Sequence, residues 1–118
     1  MAKPKLAVKK EALPDYEAAA EANPSSVEAQ TNLGWGLYGN GQYEKAIKQF
    51  EKAIGLNSNF IDAYYGLGLT AKKSGQTKQA REAFEKAASL VTTLDDRVRM
   101  QMLSRIIQTQ LNSLRSPN

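Results

Sequence analysis

The sequence predicts an all-α protein, a right-handed α-α solenoid of two full repeats flanked by half-repeats, and three observations predict it. First, sliding the 118-residue chain along itself by 34 positions superimposes eleven identical residues. They are Ala29 on Ala63, Leu33 on Leu67, Gly34 on Gly68, Gly41 on Gly75, Gln42 on Gln76, Ala46 on Ala80, Phe50 on Phe84, Glu51 on Glu85, Lys52 on Lys86, Ala53 on Ala87 and Leu56 on Leu90. A fixed period of this kind marks stacked units, none of which buries its apolar face alone. Second, apolar residues within each period recur at helical spacing, with no alternation of the kind a strand shows. Third, Asn40-Gly41 and Ser74-Gly75 split each period in two, as a left-handed glycine beyond a helix end does.

The elements follow in order. Backward by 34, Ala12, Tyr16, Glu17, Ala19 and Asn23-Pro24 fall on Ala46, Phe50, Glu51, Ala53 and Asn57-Ser58, so residues 14–22 are a second-type helix without a first. Pro14 suits the opening turn, where its missing N–H is not needed. Residues 27–39 form a first-type helix with Val27, Leu33, Gly34 and Leu37 on its packing side. Tyr43, Ala46, Ile47, Phe50, Ala53 and Ile54 then keep the i, i+3, i+4, i+7 rule of an amphipathic second helix. Residues 61–73 and 77–90 repeat the pair. Gly34, Ala46, Gly68 and Ala80 allow close backbone approach, and Phe50 and Phe84 fill the space between units. Residues 95–115 start where a third first-type helix should, with Asp95 and Asp96 favourable at the positive end of its dipole. The organisation is therefore a basic arm (1–13), a solenoid (14–94, divided into a half-repeat 14–26, repeat one 27–60 and repeat two 61–94) and a C-terminal amphipathic helix (95–118).

That last helix carries two apolar stripes. Val98, Met102 and Ile106 make one; Met100, Leu103, Ile107, Leu111 and Leu114 make the other. Arg97, Gln101, Ser104, Arg105, Gln108, Asn112 and Arg115 fill the polar sector. A solenoid cap presents a polar outer face, and the preceding repeat covers only one stripe. Tyr16, Met100, Leu103, Ile107, Leu111 and Leu114 are accordingly expected to dock the C-terminal half-repeat of one copy on the N-terminal half-repeat of the next. Such heterologous contacts close into rings or run on as filaments. The alternative is that the second stripe folds over the same chain or enlarges its core.

Composition excludes much chemistry. With no Cys and no His, thiol catalysis, serine–histidine relays and zinc fingers are absent. No catalytic, cofactor or metal site is expected. Gly34-Trp35-Gly36 and Gly66-Leu67-Gly68 lie inside helices with no strand before them, and Asp95-Asp96 reads as a helix start. Glu44, Glu51, Glu82 and Glu85 are spaced for helical ion pairs with Lys48 and its neighbours. The net charge of +4 resides in Lys3, Lys5, Lys9 and Lys10, since the remainder carries twelve of each sign. This arm could touch phosphates, yet it has no aromatic residue for stacking, so nucleic acid is disfavoured. No apolar run approaches the roughly 18 residues that span a bilayer, and no signal peptide is visible. The cytoplasm is the default location, with extracellular placement left open.

These residues resemble the tetratricopeptide repeat: Leu33-Gly34 and Leu67-Gly68 fill its Leu-Gly slot, Ala46 to Phe50 and Ala80 to Phe84 its Ala-Phe slot, and Tyr64 its first aromatic slot. Gln30 replaces that aromatic in repeat one, Leu37 and Ala71 replace the second aromatic, and Ser58 and Thr92 replace the proline. The resemblance implies a concave surface lined by the first helices, with Glu28, Thr31, Asn32, Trp35, Tyr38, Asp62, Tyr65, Gly66, Leu69 and Lys72 upon it. Trp35, Tyr38, Tyr65 and Leu69 would make an aromatic strip, flanked by Asn32, Glu28 and Asp62. The family's clamp for chaperone-tail carboxylates would fall on Thr31, Trp35, Gly66, Asp96 and Met100, none of which is the required residue. The expected function is non-catalytic protein–protein interaction, first by head-to-tail self-assembly into a homo-oligomer or filament. The alternative is a monomeric adaptor holding an apolar or aromatic peptide or helix in the concave groove.

Overall fold

The computed structural model describes residues 12–115, in which six helices and no strand are found: α1 Leu13–Ala22, α2 Val27–Gly39, α3 Tyr43–Leu56, α4 Ile61–Lys73, α5 Thr77–Val91 and α6 Arg97–Arg115. Lys3, Lys5, Lys9 and Lys10 of the expected basic arm lie outside the described residues. Among the described residues no helix is long and apolar enough to cross a membrane. The helices stack in chain order, α2 with α3 and α4 with α5 as hairpins, with α1 against α2 and α6 against α5.

Local chemistry sets the ends. Ser26 caps α2, its hydroxyl accepting from the backbone N–H of Ala29 at 3.1 Å. Gly41 and Gly75 have φ of 80° and 81°, the left-handed region that side chains disfavour. Each closes a Schellman motif: Gln42 N–H donates to Leu37 O (2.9 Å) and Gly41 N–H to Tyr38 O (3.0 Å), while Gln76 N–H donates to Ala71 O (2.8 Å) and Gly75 N–H to Lys72 O (3.2 Å). The two hairpins therefore turn identically, as the 34-residue period requires.

Between units the packing is ring into glycine. Phe50 is wholly buried, with its ring against both Gly34 of α2 and Gly66 of α4; a Cβ added to Gly34 would stand 2.7 Å from it. Phe84 lies likewise on Gly68, 2.5 Å from where a Cβ would be. Gly66 is a cradle that the pairwise sequence match does not single out, because Asn32 occupies its place in repeat one.

The slot where Gln30 replaces an aromatic keeps its task by other means. Tyr64 donates its hydroxyl to Ser58 O at 2.9 Å, tying α4 to the preceding loop. Buried Gln30 donates from Nε2 to Ala20 O (3.1 Å), Asn23 O (3.3 Å) and Pro24 O (3.4 Å), and accepts from Gln49 at Oε1. Glu51 also departs from expectation, accepting from Gln79 of the next unit at 3.3 Å instead of meeting a lysine on its own helix.

At α6 the 34-residue step fails. α4 starts at Ile61 and α6 at Arg97, 36 residues on, because α5 is one residue longer than α3 and the loop after it is also one residue longer. Asp96 caps the late start, accepting the Arg99 N–H at 3.0 Å. The buried side of α6 follows a step of 37: Met100, Leu103 and Ile107 stand where Ala63, Gly66 and Thr70 stand in α4. This corrects the expected assembly face. Ile107 is 1% exposed, and Met100, Leu103, Leu111 and Leu114 pack, partly buried, on the core cluster of Phe84, Ala87 and Val91 of the same chain. Tyr16, also expected in an assembly contact, is half-buried against α2, near where a Cβ on Gly36 would be. The other stripe stays open: Val98 is 75%, Met102 54% and Ile106 40% exposed.

Candidate functional site

A groove of about 520 Å³ opens where α2, α4 and α6 face one another. It is lined by Trp35 of α2, by Phe60, Ile61, Asp62 and Tyr65 at the start of α4, and by Arg99, Leu103, Ile106 and Ile107 of α6. Its volume falls within the roughly 300–1,000 Å³ typical of ligand sites, and apolar lining with a few polar groups is their usual character.

The walls are held by their own neighbours. Trp35 meets Phe50 edge-on (5.2 Å, 77°) and Tyr38 likewise (5.8 Å, 88°), and its Nε1–H donates to Asp62 Oδ2 at 3.2 Å. This locks an indole across two units, an aromatic anchor with little rotamer freedom left to lose. Tyr65 is fixed from below by Phe84 (5.6 Å, 58°). Its hydroxyl accepts from Gln110 Nε2 at 3.5 Å, and Gln110 Oε1 accepts from Lys72 Nζ at 2.9 Å, so one α6 side chain bridges to α4 beside the groove. Thr31, one turn before Trp35, is 1% exposed, and its Oγ1 has no hydrogen-bond partner among the described residues.

Of the residues expected to line a concave surface, Trp35, Asp62 and Tyr65 stand in the groove. Tyr38 packs between Trp35 and Tyr43 (5.8 Å to the latter), and Leu69 lies under α6 in the core. Glu28 and Asn32 are exposed on α2 outside the lining. Leu103 and Ile107, expected between copies, instead form the groove's α6 wall. Phe60, Ile61, Arg99 and Ile106 were not foreseen. A step of 37 finds two of them, since Arg99 then answers to Asp62 and Ile106 to Leu69; it also moves the slots set at Asp96 and Met100 to Arg99 and Leu103. Phe60 sits at the helix cap, a position that carries no periodic signal. No group of three or more acidic residues that could hold a metal occurs among the described residues.

A family model described as TPR repeat matches residues 36–75, and one described as tetratricopeptide repeat matches residues 61–90. No curated protein matches the chain in sequence. Among solved structures, PcrH in complex with the chaperone binding region of PopD superposes with a TM-score of 0.80 at 15% identity, over 88% of this chain and 76% of that one. The Yersinia enterocolitica type III secretion chaperone SycD, in complex with a peptide of the translocator YopD, superposes with a TM-score of 0.78 at 15% identity, over 89% and 78%. The first TPR domain of human RPAP3 gives 0.68 at 19% identity, over 92% and 83%. At these identities the likeness is one of fold. Two repeat models that together span residues 36–90, and a helical architecture shared with these structures, agree with the hairpins described above: residues 36–90 match the tetratricopeptide repeat, and the described residues have the fold of stacked repeats of that kind.

Proposed function

We propose that the chain is a non-catalytic protein-interaction module that holds an extended peptide, through its apolar side chains, in the groove between α2, α4 and α6. The observation that carries this is the groove itself, an apolar site with a rigid aromatic wall at Trp35 and Tyr65 and an aliphatic wall at Leu103 and Ile106. Side chains entering it would remove apolar surface from water, worth about 25 cal/mol per Å² before the cost of ordering the peptide. The PcrH and SycD structures support the reading, as each holds a segment of another protein on the same fold. Trp35 is the only tryptophan, so its emission reports on the groove directly. A peptide selected on the wild type should shift that emission and lose its affinity on Ile106→Glu, which alters an exposed side chain and leaves the core intact. Equal affinity for that variant would sink the proposal.

A second reading is association of copies through the terminal half-repeats, in an oligomer or filament. Two features favour it: Val98 and Met102 carry the apolar surface of α6 beyond the groove, and the two end helices have opposite charge. α1 holds Asp15, Glu17 and Glu21 and no base, whereas α6 holds Arg97, Arg99, Arg105 and Arg115 and no acid. Opposed patches of this kind steer encounter and set orientation. Sedimentation at low salt should show species larger than a monomer that shrink as salt is raised; a monomer at every concentration ends this reading.

A further inference from the structure

Resting on the peptide-groove reading, we infer that the partner is an extended segment in which an aspartate or glutamate follows or precedes the apolar anchors by no more than about three residues, and that Arg99 is the residue that selects it. The first observation is a broken local rule. The first turns of α1, α2, α3 and α4 carry Asp15, Glu28, Glu44 and Asp62, acids where the positive end of the helix dipole favours them. The first turn of α5 has no acid and carries Lys78, and that of α6 goes further, with both Arg97 and Arg99 and no acid. Two cations in that turn oppose the dipole even with Asp96 capping the Arg99 N–H, and such departures from local consistency concentrate at functional sites.

The second observation is where that charge sits. Arg99 answers to Asp62 on the neighbouring first-type helix, and both line the groove, so its charge changes sign from α4 to α6. Asp62 is already engaged by the Trp35 indole N–H. The groove therefore meets a partner with apolar walls, the Trp35-bonded carboxylate of Asp62 at its α4 side and one cation at its α6 side. Arg99, Leu103 and Ile106 follow one another along a single face of α6, and Arg99 lies about 6 Å from Leu103 and about 10 Å from Ile106 along the helix axis. An extended chain advances about 3.3 Å per residue, so a carboxylate that meets the guanidinium while an apolar side chain meets Leu103 or Ile106 lies two or three residues away from it.

The experiment is selection of C-terminally amidated peptides from one synthetic library, against the wild type, Arg99→Glu and Ile106→Glu, with affinities of the selected sequences measured by Trp35 fluorescence. Amidation removes the terminal carboxylate, so only side-chain acids remain to be chosen. The wild type should enrich an acidic residue within three positions of an apolar pair and bind it at least tenfold tighter than the same peptide with lysine in place of the acid. Arg99→Glu should reverse that preference while keeping the apolar pair. Identical sequences from the wild type and Arg99→Glu would overturn the inference and leave the groove reading standing. Failure of the wild type to enrich anything beyond what Ile106→Glu enriches would remove the groove reading, and this inference with it. Helical circular dichroism of both variants confirms that the fold is retained, as expected for exposed positions.

Discussion

α4 and α6 hold the same place in successive units, yet they are gripped in opposite ways. α4 buries small residues, Ala63, Gly66, Gly68 and Ala71, and receives the rings of Phe50 and Phe84 on its two sides. α6 has no glycine or alanine; it rests on one neighbour through Met100, Leu103, Ile107, Leu111 and Leu114, of which Ile107 alone is fully buried. An inner helix must admit two partners and so gives up side-chain volume to bring backbones close. An end helix has one partner and supplies its own bulk. The difference also locates the groove, because a helix that packs on one side only has apolar surface left to wall a cleft.

Four substitutions break or sharpen that contrast, each read by urea denaturation followed by circular dichroism. Phe50→Ala empties the ring site shared by α2 and α4 and should cost about 3–5 kcal/mol, the largest effect, with α1 to α5 losing helix together. Ile107→Ala should cost about 2–4 kcal/mol, with α6 melting ahead of the rest, since one interface holds it. Gly66→Ala drives a methyl group into a ring that has nowhere to go, and should destabilise by about 1–3 kcal/mol despite alanine's better helix propensity. Gly55→Ala, in α3 with open space around it, should stabilise by about 0.5–1 kcal/mol. A gain for both glycine variants would mean that the inner cradle is not tight.

A smaller effect is expected beside the groove. Thr31→Val exchanges a buried hydroxyl that has no partner among the described residues for a methyl group of similar size, and should leave stability unchanged or raise it by up to about 1 kcal/mol. A loss above that range would show that the hydroxyl has a partner in solution.

Much of this fold was legible because its two central units repeat. The identities from Ala29 to Leu90 placed α2 to α5 and both left-handed glycines, since a hairpin that recurs must turn by the same means. α6 was legible as a helix but not in its facing. The identities stop at Leu90; two single-residue insertions, one at the end of α5 and one in the following loop, start α6 36 residues after α4, and its buried side lies one residue further on, with Leu103 and Ile107 inward. Trp35, Asp62 and Tyr65 were found as groove residues because they lie within the repeating part. Arg99 and Ile106 were not, because their helix had been placed two to three residues out of step.

The buried amide of Gln30 has a consequence for how the molecule opens in time. α1 has ten residues, fewer than an isolated helix needs to persist in water. The carbonyls of Ala20 near its C-terminal end and of Asn23 and Pro24 just beyond it are all met by that one side chain. A fastening this concentrated lets go at once. The amide protons of α1 should then exchange with solvent as a single group, at a rate set by release of Gln30 and well ahead of the protons of α4.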